Sequence, residues 1–417
     1  ITGGAGFIGS NLILHLYEKY PEWIFYNIDK LTYASDRNYL NPIKHSERYH
    51  FKKLDLIDKV AVQDVVKSFR PNAVIHLAAE SHVDNSIQGP EPFIQSNVVG
   101  TFNILEICRQ LWMQEPEDFP NARFLHVSTD EVYGELDEDG YFTEQTPYAP
   151  NSPYSASKAA GDFIVRSYFQ TYGMNVVTTN CSNNYGPHQH DEKLIPTVIR
   201  SAMQLKEIPV YGKGENIRDW LFVTDHCSAI EQVFESGKAG ETYNIGGNNE
   251  WKNIELVHKI CNILNKHIAK GPQGDYNNLI SFVTDRLGHD FRYAIDASKI
   301  KNELGWEPNS DFDVSLEKGV ATVTLNRGEE LNTMIPAFWI ELPKIINSIN
   351  KSGEARVTVL ASTGKHFSAG MDLAVFSMGS ADSAAETGRV RAGLRENALH
   401  LQDAFTCLEK ARIHVLA

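Results

Sequence analysis

Two short stretches set reactive side chains at spacings that can do chemistry. In Tyr154-Ser155-Ala156-Ser157-Lys158 a phenol and an ammonium stand at i and i+4, which puts them on one face of a helix. A tyrosine titrates at about 10 and needs a nearby cation to act as a base at neutral pH, and Lys158 offers one. The second stretch, Ser128-Thr129-Asp130-Glu131-Val132-Tyr133-Gly134, ends an apolar run with two adjacent carboxylates. Such a pair can divide the roles of general acid and general base if one holds a proton near neutral pH and the other does not. Each stretch also has a plainer reading. Tyr-x-x-x-Lys arises about once by chance in a chain of this size, and the carboxylates run on into Glu135-Leu136-Asp137-Glu138 as a solvated acidic turn would.

A third element binds rather than reacts. Gly3-Gly4-Ala5-Gly6-Phe7-Ile8-Gly9 contains both G-x-x-G-x-x-G and G-x-G-x-x-G, and it opens the apolar-periodic segment Ser10 to Leu16. Glycines there let the backbone approach a pyrophosphate, whose charge meets the free N–H groups of a helix start. A glycine-rich turn is weak evidence alone, since it also serves as a tight turn. Asp29 strengthens it, because it closes the next strand-like run, where a carboxylate accepts bonds from an adenosine ribose diol. Its charge would repel a phosphate on that ribose, favouring NAD over NADP, although Lys30 beside it works the other way. The alternative for Asp29 is a turn residue after a strand. Asp55 and Leu56, after the following run, are placed to hold adenine.

These groups need a frame. Residues 1–180 alternate short β-branched or apolar runs (Trp23 to Ile28, Ala73 to Leu77, Arg123 to Val127) with helical stretches. That βαβ rhythm predicts an α/β fold of Rossmann type, a doubly wound parallel sheet with helices on both faces. From about residue 181 the segments shorten and gain Gly, Pro, Asn and Asp, as in Ser182 to Pro187 and Tyr211 to Gly214. This predicts a smaller α/β substrate lobe over 181–318. After Leu304-Gly305-Trp306-Glu307-Pro308 a helix-like Val314 to Lys318 is followed by Gly319 to Leu325, which alternates as a fresh strand. No repeat, low-complexity tract or linker marks the change.

The chain has 417 residues, 39 basic and 53 acidic, with a net charge of −14. That excess argues against a general nucleic-acid binder, so an anionic ligand must be held locally. The five cysteines (Cys108, Cys181, Cys227, Cys261, Cys407) are odd in number and widely spaced. They read as core thiols of a cytoplasmic protein, and no apolar run approaches the roughly 20 residues of a membrane helix. His188-Gln189-His190-Asp191-Glu192 could hold a metal but reads as a polar loop, and no metal is expected. The chain opens at Ile1-Thr2-Gly3 without Met. The first strand is therefore expected to be largely missing, leaving its two neighbours unpaired.

From Ile1 to about Lys318 the chain resembles the extended short-chain dehydrogenase/reductase family, and within it the branch of nucleotide-sugar dehydratases that act on dTDP-glucose. The matching stretches are the glycine turn, Asp29-Lys30-Leu31-Thr32, His76 to Asp84, Thr129-Asp130-Glu131, Tyr154 with Lys158, Arg218-Asp219-Trp220, and Asp285-Arg286 with Gly288-His289-Asp290. The acidic triplet discriminates, because epimerases of the family usually carry small hydroxyl residues there. The resemblance implies NAD-dependent oxidation at C4, elimination of water across C5–C6 and hydride return to C6. Tyr154, its pKa lowered by Lys158 and the nicotinamide, would take the C4 hydroxyl proton, and Thr129 would hydrogen-bond the C4 oxygen. Glu131 would be the base at C5 and Asp130 the acid at the C6 hydroxyl.

The same resemblance places Gly3, Gly6, Phe7, Ile8, Gly9, Asp29, Lys30, Leu31, Thr32, Asp55, Leu56, Leu77, Ala78, Ala79, Ser81, Ser96 and Asn184 at the cofactor. It places Ser81, Asn183, Lys193, Leu194, Pro209, Val210, Tyr211, Arg218, Asn253, Arg286 and His289 at the dTDP portion, the two arginines suiting phosphate. It also implies a homodimer. Leu287 stands where the family usually has Pro, and Asn85 where it often has Arg. The alternatives are an epimerase or decarboxylase on the same scaffold, or a non-catalytic join of two gene fragments.

From Gly319 the chain resembles the enoyl-CoA hydratase/isomerase, or crotonase, family through Val320 to Arg327 and Thr363 to Leu373. The resemblance implies one oxyanion-hole N–H near Met371. The second N–H and the usual carboxylates lie further on in that family, so residues 319–417 are expected to be a truncated crotonase-like segment without turnover, and the whole chain a chimera joined near Lys318.

Overall fold

The computed structural model describes residues 1–268, 274–308, 312–335, 338–371, 401–402 and 404–416. The chain divides into two compact units, one of residues 1–264 with 270–308 and one of 265–269 with 309–417.

The first unit is built on parallel strands β1 (Phe25–Asp29), β2 (Tyr49–Lys53), β3 (Ala73–His76), β4 (Arg123–Thr129) and β5 (Val176–Cys181). After them come β6 (Asn183–Tyr185), β7 (Ile208–Tyr211), β8 (Ile217–Phe222), β9 (Thr242–Ile245), β10 (Glu250–Lys252) and β11 (Ile280–Val283). The main sheet runs β2-β1, then β3-β4-β5-β9, parallel throughout. Thr2 bridges the two halves, pairing in parallel with both Ile28 and His76. The Thr2 N–H donates to the Ile75 carbonyl, the Leu77 N–H to that of Thr2, the Gly3 N–H to that of Ile28 and the Ile28 N–H to that of Ile1. The two neighbours are therefore not left unpaired as expected, because three residues supply the central bonds. Connections diverge on either side of Thr2, and this switch point is where open α/β sheets bind ligands.

β4 and β5 are buried on both faces, as a parallel sheet covered by helices on each side requires. Successive side chains point to opposite faces. Leu125 and Val177 join a core with Leu12 and Leu16 of the helix Phe7–Lys19 and Ile230 of the helix Val223–Ser236. Phe124 and Val176 pack on the other side with Val62, Ile104, Leu105 and Val165. The remaining strands form two small sheets, β10-β8-β6 and β11-β7, and these make the second lobe.

The second unit holds β12 (Phe312–Glu317), β13 (Val320–Leu325), β14 (Val357–Ser362) and β15 (His414–Leu416), in that order across one sheet. Residues 314–318 are thus not helical, contrary to the sequence reading. Six residue pairs join β12 to β13, and the turn residues Lys318 and Gly319 have φ of 52° and 83°, the left-handed pair that a two-residue type I′ hairpin requires. Its core gathers Val323, Leu325, Phe338, Trp339, Leu342 and Ile346. Met334 pairs with Met371. Asp372 and Leu373 lie outside the described residues.

Candidate active site

A cavity of about 510 Å³ opens along the carboxyl ends of the main-sheet strands and continues under the second lobe. All the candidate residues line it except Leu31 and Asp130.

At the cofactor end the helix Phe7–Lys19 starts at Gly6 with no side-chain cap, so its first N–H groups are available to an anion. A Cβ on Gly9 would lie 2.3 Å from the Gly3 carbonyl oxygen, so only glycine fits that close approach. Asp29 accepts from the Ala5 N–H at 3.0 Å and the Leu31 N–H at 2.7 Å. Leu31 is thus a main-chain partner of Asp29 rather than part of the wall. Lys30 is drawn away to Glu80 at 2.6 Å and Ser96 at 3.2 Å, which removes the one cation beside Asp29 that argued for a ribose phosphate.

The reactive groups sit where β4 meets the helix Pro153–Tyr172. Ser152 and Ser155 close a reciprocal capping box, with Pro153 in the first turn, fixing the start of the helix that carries Tyr154 and Lys158. Lys158 is buried, and its ammonium donates to the Val127 carbonyl at 2.8 Å. The expected lowering of the Tyr154 pKa does not come from the protein. Burial first, then Glu131, pushes the phenol well above its ordinary value.

Thr129 ends β4, and its hydroxyl caps the turn Asp130–Tyr133 by accepting from the Glu131 N–H at 3.3 Å. Asp130 is 1% exposed, tucked behind the wall, with one carboxyl oxygen unpartnered. Burial, then Glu131 and Asp219, raises its pKa well above the usual carboxylate range. Glu131 faces the cavity, and burial raises its pKa too, opposed by Arg286, Arg218 and Lys193. Asp130 thus has Glu131 and Asp219 set against Arg218, whereas Glu131 has Arg286, Arg218 and Lys193 set against Asp290.

On the second lobe Arg218 is committed largely to main-chain carbonyls of Ile217, Phe291 and Asp290 and lies 4.2 Å over the Tyr293 ring. Less of it faces a phosphate than the sequence suggested. Arg286 keeps a buried, unpartnered Nε, and Lys193 donates to the Ser81 carbonyl at 3.2 Å. His289 pairs with Asp285 at 2.6 Å. Sequence reasoning gave no role to Asp84, which accepts from the Tyr211 hydroxyl at 2.9 Å and faces Arg286 at 3.8 Å; no spacing signals partners so far along the chain. His188, grouped with possible metal ligands, instead stacks on Tyr39. Among the described residues no group of three or more His, Cys, Asp or Glu is placed to hold a metal.

A doubly wound sheet with a glycine turn at its switch point, an acidic pair at the end of β4 and a Tyr-Lys pair on the helix that follows defines an enzyme of the short-chain dehydrogenase type. The chain belongs to the GDP-mannose 4,6 dehydratase family, whose model matches residues 1–319. It is 53% identical over 322 residues to the dTDP-glucose 4,6-dehydratase of Xanthomonas campestris pv. campestris, covering 77% of this chain and 90% of that one. Among solved structures, the dTDP-glucose 4,6-dehydratase of Bacillus anthracis in complex with NAD matches with a TM-score of 0.64 and 44% identity, over 74% of this chain and 90% of that one. The UDP-glucose 4-epimerase of Thermus thermophilus in complex with NAD matches with a TM-score of 0.64 at 27% identity, over 74% and 93%. A model of the enoyl-CoA hydratase/isomerase family matches residues 315–406, so two families meet at 315–319.

Proposed function

We propose that residues 1–318 dehydrate dTDP-glucose to dTDP-4-keto-6-deoxy-glucose with NAD, through the candidate residues named above. The opposed surroundings of Asp130 and Glu131 carry this reading, because elimination needs an acid and a base side by side. An epimerase needs neither.

The uncapped helix start, the close approach at Gly9 and the carboxylate of Asp29, oriented by the Ala5 and Leu31 N–H groups and not paired with Lys30, fit NAD. When bound, NAD supplies the two-electron redox capacity at C4 and C6 and a positive charge at its nicotinamide end. Tyr154 then takes the C4 hydroxyl proton, with Thr129 holding the C4 oxygen and Lys158 supplying positive charge beneath. Glu131 takes the C5 proton once C4 is a ketone. Asp130, kept protonated by burial and by its carboxylate neighbours, delivers its proton to the departing C6 oxygen so that water leaves, and Glu131 would return the proton to C5 as C6 is reduced. Arg286, Lys193 and what remains free of Arg218 hold the diphosphate, and residues 1–180 and 181–318 divide the cofactor and sugar-nucleotide work. Residues 309–417 form a separate module, in which β12 pairs with β13 across Lys318 and Gly319.

Phe102, Met113, Phe163 and Tyr172 stand exposed on the helices Thr101–Gln114 and Pro153–Tyr172, which supports a homodimer. No helix of the described residues is long and apolar enough to cross a membrane, and the buried free thiols of Cys108, Cys181, Cys227 and Cys261 support a cytoplasmic site. Mass spectrometry after incubation with NAD and dTDP-glucose tests the function. Loss of one water from the substrate supports it, whereas an isomer of unchanged mass, a loss of carbon dioxide from a sugar acid, or no product at all refutes it.

A further inference from the structure

Beneath the Tyr154–Lys158 pair lies a buried polar cluster that the mechanism above does not use. Asp162, one helical turn beyond Lys158, is 4% exposed. One of its oxygens accepts from the Ser128 hydroxyl at 2.9 Å and the Tyr148 hydroxyl at 3.0 Å. The other lies 3.1 Å from His126 Nε2. His126 stacks on His76 at 5.3 Å, and His76 is held on both ring nitrogens, by Thr2 at 2.7 Å and Thr101 at 2.9 Å.

We propose that Asp162 is a positioning residue, the counter-ion that keeps Lys158 an ammonium beneath Tyr154. The charge balance leads there. A buried ammonium with a single carbonyl partner loses its proton readily unless an anion shares the site. Tyr154 and Asp162 stand one turn before and after Lys158 on its helix, and the titratable groups whose charges interact with it are Asp162, His126 on β4, His76 on β3 and Cys181 on β5. Burial pushes both imidazoles well below their ordinary values, so they stay neutral, and it pushes the Cys181 thiol up to about 12. That leaves Asp162, which ionises through about pH 7, as the group that carries the balancing negative charge on the alkaline side. Burial raises its own pKa to about 7, with Lys158, Ser128 and Tyr148 pulling it back down. Burial lowers Lys158, and Asp162 is the largest influence opposing that fall.

The proposal rests on the dehydratase reading for its activity test and stands apart from it in its stability test. Asp162→Asn keeps the shape and one acceptor while removing the charge. With dTDP-6-deoxyglucose, which has no C6 hydroxyl to lose, the full chain with NAD performs only the C4 oxidation, read by nicotinamide absorbance. The alkaline limb of that step should move down by about one pH unit or more in the variant. An unmoved limb with a merely lower rate overturns the proposal. Melting temperatures without cofactor give the second readout. A lysine whose folded pKa lies below its unfolded value makes stability rise with pH between the two, and removing Asp162 extends that window downward. The stability deficit of Asp162→Asn should therefore shrink as pH rises toward 10, and a deficit independent of pH overturns the proposal. Tyr148→Phe removes one hydrogen bond from the carboxylate and should shift the limb the same way by less. If Asp162→Asn does not fold, an unmoved limb in Tyr148→Phe overturns the proposal. Failure of the parent to form any dehydrated product would count against the dehydratase reading instead.

Discussion

Glu131→Gln separates elimination from the oxidation that precedes it. The amide preserves the shape of the side chain and removes the charge that Arg286, Arg218 and Lys193 surround. A positioned general base contributes about 10² to 10⁴ in rate, or about 2.7 to 5.4 kcal/mol of barrier at 1.36 kcal/mol per decade. Turnover should fall by that range. Oxidation at C4 depends on Tyr154 and Lys158 instead, so the variant should still reduce its nicotinamide on mixing with dTDP-glucose. Reduced cofactor should then accumulate, because water loss has become slow. Stopped-flow nicotinamide absorbance with mass spectrometry of the quenched product reads both steps. Near-parent turnover would remove Glu131 from the mechanism, and equal loss of oxidation and elimination would show that it serves binding. The pH dependence has a definite sign. A base works only when deprotonated, and burial raises Glu131 above the ordinary carboxylate range. Elimination should therefore fall as pH drops through a pKa higher than that of an exposed glutamate, and Glu131→Gln should lose that limb.

Asp130 must be protonated to act as an acid, so elimination should also fall as pH rises through its elevated pKa. Asp219 helps to hold that value up, and Asp219→Asn should move the alkaline limb of elimination to lower pH; an unmoved limb refutes the coupling. Gly9→Ala places a methyl 2.3 Å from the Gly3 carbonyl oxygen and 2.7 Å from the Gly4 Cα, backbone atoms that cannot yield cheaply. NAD affinity should fall at least about tenfold, equivalent to about 1.4 kcal/mol, and parent-like binding in a calorimetric titration would refute the cradle. With Lys30 held by Glu80, Asp29 is left to oppose a ribose phosphate, so the parent should bind NAD more tightly than NADP. Equal affinities would contradict that.

The frame was legible because its signals are local. A glycine turn, a period-two run or a Tyr and Lys one turn apart is visible wherever it occurs, and the structure places each at the sheet edge that βαβ order requires. Two local readings went astray for physical reasons. Val314 to Lys318 reads as helical only if the turn after it is ignored, since Lys318 and Gly319 both adopt positive φ and fold the segment back onto Val320–Leu325. The opening residues look too few for a strand, yet Thr2 bridges Ile28 and His76, and Ile1 and Gly3 add hydrogen bonds to Ile28, so the ends of β1 and β3 are joined across the switch point.

The chemistry was less legible because it is written in partners far along the chain. Asp130 and Glu131 are adjacent, similarly acidic residues at one strand end, and nothing within that stretch distinguishes a proton donor from a proton acceptor. Burial raises both, and the second lobe then adds Asp219 on the side of Asp130 and Arg286 and Lys193 on the side of Glu131, with Arg218 acting on each. Arg218 itself shows the same dependence. It belongs to a motif that suggests phosphate binding, yet Ile217, Asp290 and Phe291 take up much of its guanidinium, so its charge can steer Glu131 while its donors fix the lobe. The second lobe is therefore more than a cover for the sugar nucleotide. Beyond the burial that raises both carboxyls, the charges it adds favour a proton on Asp130 over one on Glu131, which is the division of roles proposed for the elimination.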